Sequence, residues 1–180
     1  MSRVCPSWLS FILYNPLRKR LTDRHKVLDQ SRITRDSVVL EIGAGNGFFT
    51  EVLARHAGRV VSIELQDGMV RKLKRRVAKF GGQVNVIRAD ISAHAFEEAF
   101  ADVCLLYYSF HEVHNKPGAA GNIAGAVKKS GLVALYEPTV EVRKRDMEKT
   151  VKLFEEKGFV KEEEGAHLFT RFALMRKRIS

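Results

Sequence analysis

The stretch from Val38 to Thr50, Val-Val-Leu-Glu-Ile-Gly-Ala-Gly-Asn-Gly-Phe-Phe-Thr, constrains this chain more than any other. Its apolar, β-branched opening, Val38 to Ile42, has the pattern of a buried parallel strand. Gly43, Gly45 and Gly47 then alternate with other residues, and Phe48 opens a helical pattern running to about His56. Strand, glycine turn and helix start in that order make a cradle for a small ligand. The glycines let backbone approach closely, and the unpaired N–H groups favour an anionic group. A dinucleotide fingerprint needs its third glycine at position 48, where this chain has Phe48. Glu41, at the strand end, suits a cationic amine while the amides take a carboxylate. The cradle therefore fits an amino-acid-like ligand better than a pyrophosphate.

Downstream, strands and helices alternate. Strands are expected at 60–64, 84–88, 103–107 and 132–136, with helices over 67–80, 93–100, 116–128 and 146–157 between and after them. Two closing strands, 159–163 and 167–175, joined by a short turn at Gly165, read as an antiparallel hairpin. The expected fold is α/β, Rossmann-like and doubly wound, with a mostly parallel seven-stranded sheet and helices on both faces. Before the first strand, Trp8 to Leu13 suggests a short apolar helix. Leu17, Leu21, Val27 and Leu28 give a second helix an apolar stripe, running towards Gln30. These two either form a lid over the carboxyl edge of the sheet or pack on its flank, and Trp8 to Tyr14 could instead rest on a membrane surface. At 180 residues the chain is expected to form one compact domain, with 1–35 as the helical lid segment and 36–180 as the body.

In open α/β sheets, ligands sit beyond the carboxyl ends of the strands near the switch in strand order. The residues found there are specific. Glu64 ends the second strand about twenty residues beyond the first glycine, where a carboxylate can accept from a ribose diol. Leu65 follows it. Asp90 follows the third strand, placed to take an adenine amino group while Ile91 packs the ring. Tyr107 and Tyr108 end the fourth strand, beside the expected place of the reactive atom, with Tyr107 expected to contact the cofactor. Taken singly, Glu64 is also an ordinary strand-end acid and Asp90 an ordinary cap for the next segment; the joint pattern carries the argument.

Glu41-Ile42-Gly43-Ala44-Gly45-Asn46-Gly47 resembles motif I of the class I S-adenosylmethionine-dependent methyltransferases, and the resemblance extends from about Val38 to the C-terminus. It implies S-adenosyl-L-methionine as cofactor, with methionine contacts at Gly43, Ala44, Gly45 and Gly47, ribose contacts at Glu64 and adenine contacts at Asp90. The implied chemistry is direct displacement of a methyl group from a sulfonium, for which alignment supplies much of the rate. Tyr108 and His111 are the catalytic candidates; His111 and Glu112 are the pair placed to face the acceptor, His111 as a general base for an acceptor needing deprotonation. The alternative for Phe110-His111-Glu112-Val113 is that it merely starts and caps the next helix.

Val39 to Leu65 also resembles the ribosomal-RNA adenine dimethylases. Their Asn-Leu-Pro-Tyr type motif is replaced here by Tyr108-Ser109-Phe110-His111, which is more like the small-molecule group. A small-molecule acceptor is therefore the leading expectation. The net charge of +10 keeps an RNA acceptor as the alternative. A cofactor-binding protein whose acceptor space is filled by Tyr107 and Tyr108 is a third reading. The basic run Arg71 to Lys79 has a plainer explanation as the solvated part of an amphipathic helix. No run approaches the roughly 20 apolar residues of a membrane span. Cys5 and Cys104 fit no zinc spacing, and a reduced cytoplasmic protein is the plain expectation. Neither the acceptor nor the oligomeric state is specified by these patterns.

Overall fold

The computed structural model describes residues 23–167 and 169–179. In chain order, the regular elements are α1 (Arg24–Gln30), β1 (Val38–Ile42), α2 (Thr50–His56), β2 (Arg59–Glu64), α3 (Asp67–Val77), β3 (Val84–Arg88) and β4 (Ala101–Tyr107). There follow α4 (Lys116–Ala126), β5 (Val127–Pro138), α5 (Lys144–Glu155), β6 (Phe159–His167) and β7 (Thr170–Lys177). They form one seven-stranded sheet in the order β3-β2-β1-β4-β5-β7-β6. β7 runs antiparallel to both β5 and β6, and the other pairs are parallel. Strand order reverses between β1 and β4, opening a crevice beyond their carboxyl ends.

Both faces of the sheet are covered, so the central strands read as continuous apolar runs rather than alternating ones. Leu40, Cys104, Leu106 and Val133 face α4 and α5, where Ile123, Met147 and Phe154 close the core. Their chain neighbours Val39, Val103, Leu105 and Ala134 face the other way, against Val27 and Leu28 of α1 and Val52 and Leu53 of α2. The Tyr136 hydroxyl meets Ser31 Oγ at 3.1 Å and Gln30 Oε1 at 3.2 Å, and burial pushes it up to about 12. That contact, with Arg32 paired to Glu162 and Glu163 of β6, fastens the segment after α1 to the sheet. The expected helices over Trp8 to Leu21 lie outside the described residues.

Several expected boundaries move, each for a local reason. The helix after the glycines begins at Thr50 rather than Phe48, because Gly45 and Gly47 hold left-handed φ values of 57° and 88°. Residues 93–100 form no helix. Only one turn closes, Ala93 N–H to Asp90 C=O; beyond it Phe96 and Phe100 pack on the core, and Phe100 N–H bonds Ala126 C=O. β5 begins directly after α4, so the strand expected at 132–136 starts earlier and carries Ser130-Gly131 as a bulge inside it. Val127 and Leu132 pair with Ala101 and Val103, and Ser130 takes a φ of 61° within the bulge. Gly165 is not the hairpin turn: it lies within β6, opposite Phe172, and the hairpin reverses between His167 and Thr170. An added Cβ at Gly165 would lie 2.5 Å from Phe172 Cε1. Glycine is there to admit a ring, which local sequence cannot distinguish from a turn.

Candidate active site

At the carboxyl ends of β1, β2 and β4 lies a cavity of about 380 Å³, within the usual range for a small-ligand site. Its floor is the glycine loop. An added Cβ on Gly43 would come within 2.5 Å of Ser109 Cβ, so the two loops after β1 and β4 can meet only through a glycine. Gly45, by contrast, has open space where a Cβ would be and a left-handed backbone. Gly47 is set apart from the other two: it is buried, a Cβ there would lie 2.9 Å from Leu73 Cδ1, and it packs against α3 instead of lining the cavity.

Two acids organise this floor. Glu64 is buried; its Oε2 accepts from Gly45 N–H and its Oε1 from Gln66 N–H, both at 2.8 Å. Burial raises its pKa, against the lowering effect of those amides. Glu41 Oε2 accepts from Thr50 Oγ1 at 2.6 Å and Ser62 Oγ at 2.7 Å. Burial outweighs both hydroxyls and pushes Glu41 up to about 7. Asp90 is exposed at the rim, where its Oδ1 accepts from Ser92 N–H at 2.8 Å, so it does cap the following turn while lining the cavity. Leu65 and Ile91 line it too, Leu65 partly exposed and Ile91 buried.

An aromatic wall stands opposite. Tyr107 stacks on Tyr108 with centroids 4.3 Å apart and packs against Phe49 at the same distance. Tyr108 has a φ of 56°, a conformation that costs a non-glycine residue and persists where the surroundings impose it. Its amide bonds Tyr136 C=O, and its hydroxyl reaches Thr170 and Phe169 C=O in the hairpin. Beside it, the Ser109 hydroxyl is buried without a hydrogen-bond partner among the described residues.

His111 is clamped. Its Nδ1 lies 2.5 Å from Glu137 Oε2, its Nε2 lies 3.1 Å from Glu141 Oε2, and its own N–H donates to Glu137 Oε1 at 3.0 Å. Burial alone would lower its pKa, but Glu137, Glu141 and Glu112 together raise it. Both ring nitrogens thus face carboxylates. Sequence reasoning missed Ser109, Glu137 and Glu141 as parts of the site. Ser109 carries no motif, and the glutamates reach His111 only because β5 lies beside β4.

Over residues 40–135 the chain matches the methyltransferase domain family. The chain belongs to that family. It is 34% identical over 85 residues to an rRNA adenine N-6-methyltransferase of Bacillus licheniformis, covering 47% of this chain and 29% of that enzyme. It is 36% identical over 67 residues to ribosomal RNA small subunit methyltransferase A of Staphylococcus haemolyticus, covering 37% and 22%. It thus matches less than a third of the length of these curated relatives. In fold it resembles a SAM-dependent methyltransferase from Aquifex aeolicus, with a TM-score of 0.84, 19% identity, and coverage of 96% of this chain and 99% of that one. The N-methyltransferase NodS from Bradyrhizobium japonicum, solved with S-adenosyl-L-homocysteine, has a TM-score of 0.72 at 18% identity, covering 89% and 86%. The chain thus shares the fold of these S-adenosylmethionine-dependent methyltransferases.

The residues present fit that cofactor. The open space at Gly45, the unpartnered Ser109 hydroxyl and the buried acids suit a ligand carrying hydroxyls, amines and a positive sulfur. Glu41 and the 43–45 loop would hold its amino-acid part, Glu64 and Leu65 its ribose, and Asp90 and Ile91 its base. No group of three or more metal-ligating side chains occurs among the described residues, nor is any described helix long and apolar enough to cross a membrane.

Proposed function

We propose that this protein transfers a methyl group from S-adenosylmethionine, by direct displacement, to a small-molecule acceptor. The observation that carries this reading is the continuous cavity lined by both the Glu64–Gly45 floor and the Tyr107–Tyr108 wall. The cofactor supplies an activated methyl group on a sulfonium. The protein's part is to orient, to exclude water and to hold protons. Glu64 tethers the glycine loop, Tyr108 is braced by the hairpin, and the Glu137–His111–Glu141 set fixes the loop after β4. Tyr107 and Tyr108 form the side of the acceptor space, and His111 acts as a positioning residue.

An RNA acceptor is the second reading, favoured by the similarity to rRNA methyltransferases and by the exposed Arg71, Lys74 and Arg75 on α3. The test is calorimetry with S-adenosylhomocysteine, followed by incubation of the protein and labelled donor with either a metabolite extract or total RNA. The proposal expects cofactor binding and label in low-mass compounds. Label in RNA alone transfers the assignment to the second reading, and absence of cofactor binding overturns both.

A further inference from the structure

The cavity is lined by acids in a basic protein. The chain contains 31 Lys and Arg residues, yet none lines this cavity among the described residues. Glu112 and Glu141 line it together with Tyr107, Tyr108 and His111. Glu141 and Glu137 are taken up by the two ring nitrogens of His111. The Glu112 carboxylate makes no hydrogen bond or ion pair among the described residues. Ser109 lines the same cavity, its hydroxyl buried with no hydrogen-bond partner among the described residues. An acidic recess beside aromatic rings attracts a cation and repels phosphates and carboxylates.

We propose that the acceptor is a small aliphatic amine bound as its ammonium ion beside Tyr107 and Tyr108, and that Glu112 is the base that receives its proton. This rests on the methyltransferase reading above. The ammonium N–H proton passes to a Glu112 oxygen, and the freed lone pair attacks the donor's methyl carbon. The methyl–sulfur bond breaks with its electron pair retained on sulfur, leaving a neutral thioether and a methylated ammonium. Glu112 then returns its proton to solvent.

His111 is a poor base here, since both its nitrogens face carboxylates. Glu112 is the better match. Partial desolvation raises its pKa; Glu141, Glu64 and Glu137 raise it further, and only His111 opposes them. A base lifted towards the working pH is the more efficient one. Phenols and thiols fit less well, because their deprotonated forms would face this carboxylate cluster.

The test uses the full chain, with S-adenosylhomocysteine binding as the control for the parent reading. Benzylamine, tyramine and 1,5-diaminopentane are offered with labelled donor alongside phenol, benzoic acid, thiophenol and total RNA. The expected result is label on amine nitrogen. Glu112→Gln should lower that rate by about 10²–10⁴-fold, remove the acidic limb of the kcat/KM profile and weaken benzylamine binding in calorimetry. Binding of S-adenosylhomocysteine should stay unchanged, and Glu112→Asp should restore part of the rate. Cofactor binding without label in any amine, or an unaltered pH profile in Glu112→Gln, overturns the amine assignment alone. Loss of cofactor binding in the wild type overturns the parent reading and this one together.

Discussion

Glu64 and Gly45 are joined by a 2.8 Å hydrogen bond in which the loop amide donates to the carboxylate at the tip of β2. The other carboxylate oxygen takes the Gln66 amide, so one buried side chain fixes the backbone on two sides of the cavity. Glu64→Ala leaves two amides without their acceptor. Hydrogen bonds to charged groups contribute about 1.5–3 kcal/mol, so S-adenosylhomocysteine affinity should fall by roughly 10–100-fold and Tm should drop. Calorimetry and thermal melts read both. Unchanged affinity would remove Glu64 from the site.

Gly43 and Ser109 test the contact between the two loops. Gly43→Ala places a Cβ 2.5 Å from Ser109 Cβ at a φ of 70°. Overpacking costs about 1–3 kcal/mol and the left-handed backbone about 1–2 kcal/mol more. Adding Ser109→Gly should recover only the overpacking part. A denaturant double-mutant cycle measures the coupling, and strict additivity would mean that the loops do not touch.

Glu41 gives stability a pH dependence whose sign follows from its buried state. Its pKa is raised from 4.5 to about 7, so the folded protein holds a proton that the unfolded chain has already released. The contribution is fully present below 4.5 and is lost as pH rises towards 7. It is on the order of 3 kcal/mol. Glu41→Gln should flatten this decline, and urea melts across the range should show the variant gaining on the wild type near neutral pH. Parallel curves would refute it.

At the far edge of the sheet, Gly165→Ala should destabilise by about 1–3 kcal/mol, because the new methyl meets the Phe172 ring. Phe172→Leu should relieve most of that cost. The cofactor cavity lies elsewhere, so S-adenosylhomocysteine affinity should not change in either variant. Melts with calorimetry on the same samples check the pair.

The strand pattern was legible because buried parallel strands must be apolar on both faces. Val38 to Ile42 and Val103 to Tyr107 therefore stand out from their surroundings. The acids at strand tips were legible because a carboxylate ending an apolar run has no reason of packing to be there. Residues 93–100 were misread because Phe96 and Phe100 mimic a helical spacing while serving the core of a loop. Gly165 was misread because a turn and a close ring contact select the same small residue.

By itself the sequence determined the order of the strands along the chain, the glycine cradle and the acids flanking it, since each follows from contacts between near neighbours. Tertiary structure alone decided that Gly47 packs on α3, that Ser109 presses against Gly43, and that Glu137 and Glu141 clamp His111. Those depend on β4 lying between β1 and β5 and on α3 folding back over the loop. Such long-range neighbours leave no periodic mark on the chain, because the energy that pairs them is gained only once the sheet has formed.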